Sequence, residues 1–271
     1  MSTALVLAGG GVTGIAWEIG VLRGLQENGL DLPAVADTVI GTSAGSTVGA
    51  QLRTGNSLTD MFARQMDGNH GEISPRIDVD LLTTIFGMMT DGGTHDDGQR
   101  RGIGELALSA PTVDEPTRRA VIERRIGTDT WPAAGLVITA IDAATGEFVT
   151  WTKESGISLI DAVASSCAVP GVWPCVTVNG RRYYDGGLRN SANACLASGH
   201  DTVYVLAPLT GGASPAVEAE MNELRANGSM VQFVTADADA TAAMGPNSLD
   251  PRFRGPAAEH GLRQGRAARL G

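Results

Sequence analysis

Residues 3–53 constrain the fold more than any other part of the chain. The run "TALVLA" at 3–8 is apolar and of strand length, and it ends in Gly9-Gly10-Gly11, with Gly14 three residues on. From Gly14 onward Ile15, Ile19, Leu22 and Leu25 share one helical face, and Asn28-Gly29 supplies a stop. "DTVIG" at 37–41 reads as a second buried strand, and "SAGSTVGAQLR" at 43–53 continues as a helix. Strand, helix and strand in this order form a βαβ unit, whose crossover is right-handed and whose strands are parallel. Both strands therefore end at one edge of the sheet. The loops that follow them are neighbours there, where open α/β sheets place their ligands.

The remainder continues the alternation. Residues 78–90 form an apolar helical segment, 91–100 a polar loop, and 101–110 and 115–126 two more helices. Residues 135–142 and 147–154 read as a strand hairpin, and 158–166 as a short helix stopped before Pro170. A second hairpin turns at Asn179-Gly180, between 175–178 and 181–184. Residues 201–207 and 230–236 are further buried strands, and 252–270 is a weakly patterned helix. With no linker or repeat visible, the expectation is one α/β domain over 1–271, carrying a helical insertion, a candidate lid, near 70–130.

Gly41-Thr42-Ser43-Ala44-Gly45 is G-x-S-x-G at a strand-to-helix junction. A serine on so tight a turn presents its hydroxyl outward, while Gly41 and Gly45 let strand and helix approach. The helix from Ala44 aims its positive end at the serine oxygen. The glycine loop at 9–14 also matches a dinucleotide-binding turn. That reading needs an acid at the end of the second strand, where this chain has Gly41-Thr42-Ser43 instead. If Ser43 attacks an ester, the loop N–H groups, above all those of Gly10 and Gly11, become donors to the developing oxyanion.

A serine nucleophile needs a base. His200 directly precedes the strand at 201–207, so it belongs at the opposite sheet edge from Ser43. His70 and His95 lie in the polar middle and His260 in the tail, and all four read as surface histidines. Asp185 opens Asp185-Gly186-Gly187, where two glycines permit a sharp turn against another loop. A partly desolvated carboxylate can serve as the base. Leu81, Leu82, Ile85, Phe86, Met88 and Met89 fit either an acyl pocket and lid or a buried helix. Arg181 and Arg182 fit a solvated hairpin better than a phosphate contact.

The net charge of −10 argues against nucleic acid as a partner and offers no attraction to an anionic membrane. Cys167, Cys175 and Cys195 have no metal-type spacing and read as structural thiols. No secretory signal or run of membrane-spanning length is visible, so a cytoplasmic protein is expected.

Together, Gly9-Gly10-Gly11-Val12-Thr13-Gly14, Gly41-Thr42-Ser43-Ala44-Gly45 and Asp185-Gly186-Gly187 resemble the patatin-like phospholipases and lipid acyl hydrolases. Ala164-Ser165-Ser166-Cys167-Ala168-Val169-Pro170 is similar to the family's segment before its Asp-Gly-Gly, displaced by a residue. The resemblance covers 3–55 and 135–210. It implies a three-layer α/β/α sandwich with a mostly parallel sheet, and a Ser43–Asp185 dyad without histidine. It also implies an oxyanion hole from Gly9, Gly10 and Gly11, and no cofactor or metal. Pro170, Val172, Trp173 and Phe86 are the expected pocket. The implied activity is hydrolysis of lipid or small esters, with transient membrane contact and oligomeric state open. An acyltransferase using the same dyad, or a non-catalytic nucleotide- or lipid-binding protein, are the alternatives.

Overall fold

Alternate residues of the first strand, β1 (Thr3–Leu7), enter opposite cores. Leu5 and Leu7 pack on one face of the sheet and Ala4 and Val6 on the other, the period of two expected of a strand covered on both sides. The computed structural model describes residues 1–67, 71–73, 75, 77–90, 92–133, 135–208 and 211–270. After β1 come α1 (Gly11–Glu27), α2 (Leu32–Val35), β2 (Thr38–Gly41), α3 (Ala44–Arg53), α4 (Leu58–Met66), α5 (Val79–Gly87), α6 (Asp97–Ser109) and α7 (Glu115–Ile126). Then follow β3 (Gly135–Asp142), β4 (Phe148–Trp151), α8 (Leu159–Ser166), β5 (Val176–Val178) and β6 (Arg181–Asp185). The chain closes with β7 (Thr202–Ala207), α9 (Pro215–Ala226), β8 (Met230–Thr235), α10 (Ala238–Met244) and α11 (Arg254–Ala267).

The result is a three-layer α/β/α sandwich. β3, β2, β1, β7 and β8 are mutually parallel neighbours, and β4, β5 and β6 complete the sheet through antiparallel pairs. α1, α3, α8 and α11 cover one face with the larger core. α9 and the segment around Ala192 and Ala197 cover the other, and α5 and α6 close a third cluster over Ile141 and Tyr184.

The registers on β3 explain how the site is assembled. Ile138 pairs with both Gly41 of β2 and Trp151 of β4, so those strands flank β3 on opposite sides. Ala140 and Ile141 pair with both β4 and β6, so β6 lies on the β2 side. β2 runs up β3 and stops at Ile138, while β6 runs down the same side and stops at Ala140, opposite Asp185. The two strands meet end to end, and their loops meet with them.

Several elements differ from the sequence expectation. α1 begins at Gly11, three residues before Gly14, so the glycine loop is already the first helical turn. β4 is shorter than 147–154, and α6 takes in the last residues of the expected 91–100 loop. α4, α9 and α10 stand outside the sequence expectation, though side-chain caps at Ser57, Ser214 and Asp237 mark their starts and α4 buries Leu58, Met61 and Phe62 along one face. α5 is not a buried helix, since only Ile85 on it is buried. α11 packs directly on α1, with Gly20 against the Ala258 carbonyl and Gly261 against that of Trp17; an added Cβ would stand 2.2 Å and 2.4 Å from those oxygens.

Candidate active site

Ser43 sits between β2 and α3 with φ 53° and ψ −113°, a conformation rare for any side-chain-bearing residue. The turn is possible because Gly45 has no Cβ; one there would stand 2.0 Å from the Leu7 carbonyl oxygen. Gly41 likewise ends β2 against Ser46, and Gly14 rests beside Pro208. The Ser43 backbone is fastened from a distance. Its N–H donates to Ser166 Oγ at 2.8 Å, and its carbonyl accepts from Ser46 Oγ at 2.7 Å and Cys167 Sγ at 3.2 Å.

Asp185 ends β6 with 2% of its surface exposed. Its Oδ1 accepts from the Gly187 N–H at 2.8 Å, and Gly186 is held against Thr139. Burial pushes the carboxyl pKa up to about 7, against the opposing pull of the Ser43 hydroxyl and the Gly187 N–H. Asn193 ties the two loops together: its Nδ2 donates to Thr42 Oγ1 at 3.1 Å and to the Gly186 carbonyl at 3.3 Å. The Thr42 and Thr139 hydroxyls are 3.0 Å apart. Asn193, Ser166 and Thr139 were not singled out by sequence. Ser166 and Cys167 did lie in the family-like stretch at 164–170, a usable signal; Asn193 had none.

The glycine loop needs one correction. The Gly9 N–H donates to the Ser191 carbonyl at 2.8 Å, so it is not available to an oxyanion. The Gly10 and Gly11 N–H groups have no partner among the described residues. Residues 246–249 lie over this loop, where the Ser248 carbonyl accepts from Thr13 N–H at 3.1 Å.

A cavity of about 340 Å³ opens over Ser43 and Asp185, within the size range of small-molecule sites. Leu82, Phe86 and Met89 of the α5 region form one wall, with Val172 and Leu249 among the rest. Two expected pocket residues do not line it. Pro170 is buried in the turn before β5, and Trp173 lies beneath the Arg118 guanidinium, facing a smaller void. Arg181 and Arg182 serve the hairpin: Arg181 Nε is 2.7 Å from Asp142 Oδ2, and Arg182 Nη2 donates to the Cys175 carbonyl at 2.8 Å.

His200 lies at the other end of the sheet, its Nε2 3.2 Å from the hydroxyl of Thr38 at the start of β2. His95 is exposed, His260 is half-buried, and His70 is outside the described residues. All three cysteines are free thiols. Among the described residues, no group of three or more His, Cys, Asp or Glu is placed to hold a metal, and no helix is long and apolar enough to cross a membrane.

Residues 5–197 match the family described as patatin-like phospholipase. No curated protein matches the chain. Among solved structures it is similar to VipD from Legionella pneumophila, at 14% identity and a TM-score of 0.48, with 97% of this chain and 66% of that one covered. The type III effector ExoU is also similar, at 16% identity and a TM-score of 0.40, covering 98% of this chain and 54% of that one. Full-length ExoU from Pseudomonas aeruginosa, in complex with SpcU, gives 19% identity, a TM-score of 0.39, and 98% and 53% coverage. The chain spans less than two thirds of each of these proteins.

Proposed function

This chain belongs to the patatin-like phospholipase family, and from that premise we propose that it is a serine acyl hydrolase acting on carboxylic esters of lipids or small molecules. One observation carries the reading: a buried carboxyl, Asp185, its pKa raised to about 7, accepts a hydrogen bond from the hydroxyl of a serine held at a strained strand-to-helix turn. A base with that pKa is ionised in useful amount at neutral pH and still basic enough to take a proton.

The chemistry then runs in two halves. Asp185 takes the Ser43 proton as Oγ attacks the acyl carbonyl, and the oxyanion is held by the Gly10 and Gly11 N–H groups. Asp185 returns the proton to the leaving alcohol as the C–O bond breaks, giving an acyl-enzyme. Water, deprotonated by Asp185, attacks that ester and releases the acid with Ser43 regenerated. Removing one oxyanion donor in such a site costs about 3–4 kcal/mol of transition-state stabilisation. The acyl chain has an apolar wall available in Leu82, Phe86, Met89 and Val172. We read 1–271 as one catalytic domain in which the insertion near 70–130 covers this cavity, with α5 as the candidate lid and the point of membrane contact.

The test is covalent labelling with a fluorophosphonate followed by peptide mapping, together with turnover of p-nitrophenyl esters and phospholipid vesicles. Label on Ser43, lost in Ser43→Ala, is the expected result. Ester turnover without label on Ser43, or activity lost in His200→Ala and retained in Asp185→Ala, overturns the dyad.

A further inference from the structure

Arg118 of α7 is only 5% exposed at the residue level, and its Nη1 has no hydrogen-bond partner. Its guanidinium lies flat over Trp173, 3.8 Å from the ring centroid. That stack fixes the planar fork without satisfying its N–H donors. Neighbouring charges give Nη1 no hydrogen bond either. Arg125 is a second cation; its Nε donates to Glu72 Oε1 at 2.8 Å and its Nη2 to Oε2, and the Glu72 carboxylate reaches Arg118 through its charge. Cys167, which also faces Arg118, is kept a neutral thiol, its pKa pushed up by burial and then by the charge of Asp185.

A void of about 20 Å³, room for about one water, adjoins this guanidinium. Its wall includes Ser43, Gly11, Val169 and Leu249, all of which also line the 340 Å³ cavity. Arg118 and the candidate nucleophile therefore line one void, which shares Leu249 with the larger cavity. A buried cation without a hydrogen-bonded partner is costly unless an anion meets it in the functional state. The fork geometry of guanidinium suits phosphoryl oxygens.

We propose that Arg118 is the phosphate-binding residue of this site: it hydrogen-bonds the phosphoryl oxygens of a glycerophospholipid whose scissile carbonyl lies over Ser43, and so selects phosphate-bearing lipids over neutral esters. The proposal rests on the hydrolase reading. The phosphoryl group is larger than the void and enters where the two cavities share Leu249, whose side chain turns aside. Burial, then the charge of Arg125, draws the Arg118 pKa down to about 9, and a bound anion would reverse that shift.

Two measurements test this. In calorimetry, sn-glycerol 3-phosphate binds the wild type saturably and at least tenfold more tightly than inorganic phosphate, and Arg118→Gln abolishes binding. In detergent mixed micelles, the ratio of kcat/KM for dioleoyl phosphatidylglycerol over dioleoylglycerol falls at least tenfold in Arg118→Gln and partly recovers in Arg118→Lys. An unchanged ratio overturns the proposal, because a purely structural role moves both lipids together. Equal affinity for inorganic phosphate overturns it too, since the site then takes a free anion and not a head group. If Arg118→Gln does not fold, the wild-type binding measurement decides. Dioleoylglycerol turnover without glycerol 3-phosphate binding leaves the hydrolase reading standing and removes this one; no turnover of any ester removes both.

Discussion

As the proposed base, Asp185 would work only when ionised, and burial raises its pKa to about 7. The rate on a soluble ester should therefore climb with pH, reaching a plateau above neutrality. A kcat/KM profile flat between pH 5 and pH 8 would take Asp185 out of the role of base, and Asp185→Asn should lose roughly 10²–10⁴-fold in rate. Ser43 and Asp185 were legible in the sequence because each imposes a backbone demand on its neighbours. Gly45 is required by the 2.0 Å approach to Leu7, and Gly186 by the packing on Thr139. The residues that secure them were not legible for the opposite reason. Ser166 and Asn193 reach the Ser43 turn through side-chain hydrogen bonds spanning 123 and 151 residues, and no local pattern encodes so distant a contact. Gly9 was misjudged on the same ground, since its N–H is engaged by Ser191 from another loop.

At the scale of elements, strands and most amphipathic helices followed from periodicity, while α4, α9 and α10 were not anticipated although capping residues mark their first turns. α1 was recognised by its apolar face, yet that face hides a carboxyl. Glu18 is fully buried, and neither carboxylate oxygen has a hydrogen bond of good geometry. Burial raises its pKa well above the ordinary range, and the Ala8 backbone offsets this only in part. The folded-state pKa lies above the unfolded one, so the stability linked to the protonated form is present below the unfolded value of ~4.3 and lost as pH rises through the folded value. Glu18→Leu should thus raise the melting temperature more at pH 8 than at pH 5; equal gains would mean an ordinary carboxyl. α5 makes a different prediction. Val79, 68% exposed, and Phe86, 54% exposed, present an apolar face to solvent beside the cavity. Val79 does not line that cavity. Val79→Asp should lower turnover of vesicle lipid several-fold while sparing p-nitrophenyl butyrate; equal effects on both would exclude α5 as a membrane contact.

Across the whole molecule, the charge of −10 opposes approach to an anionic surface even though the site itself carries Arg118. That repulsion is long-ranged and screenable, with a Debye length of about 30 Å at 0.01 M salt and about 8 Å at 0.15 M. Turnover of phosphatidylglycerol vesicles should rise over this range while that of phosphatidylcholine vesicles stays level; parallel responses would show that net charge does not govern encounter. The α/β domain was expected from the βαβ unit, and the sandwich from the resemblance. The end-to-end meeting of β2 and β6 on β3 was not, because it depends on where two strands stop and not on what they contain. The packing of α11 on α1 has a consequence for synthesis. Ser43 and Asp185 are both translated before α11, and at about 5–20 residues per second the last helix follows roughly 4–16 s after Asp185. Until then α1, whose first turn carries Gly11, has no cover over Gly20 and no Ser248 carbonyl at Thr13 for much of that interval. A nascent chain that stops short of α11 thus holds both Ser43 and Asp185 without a braced glycine turn, and synthesis of residues 248–267 is what supplies the brace.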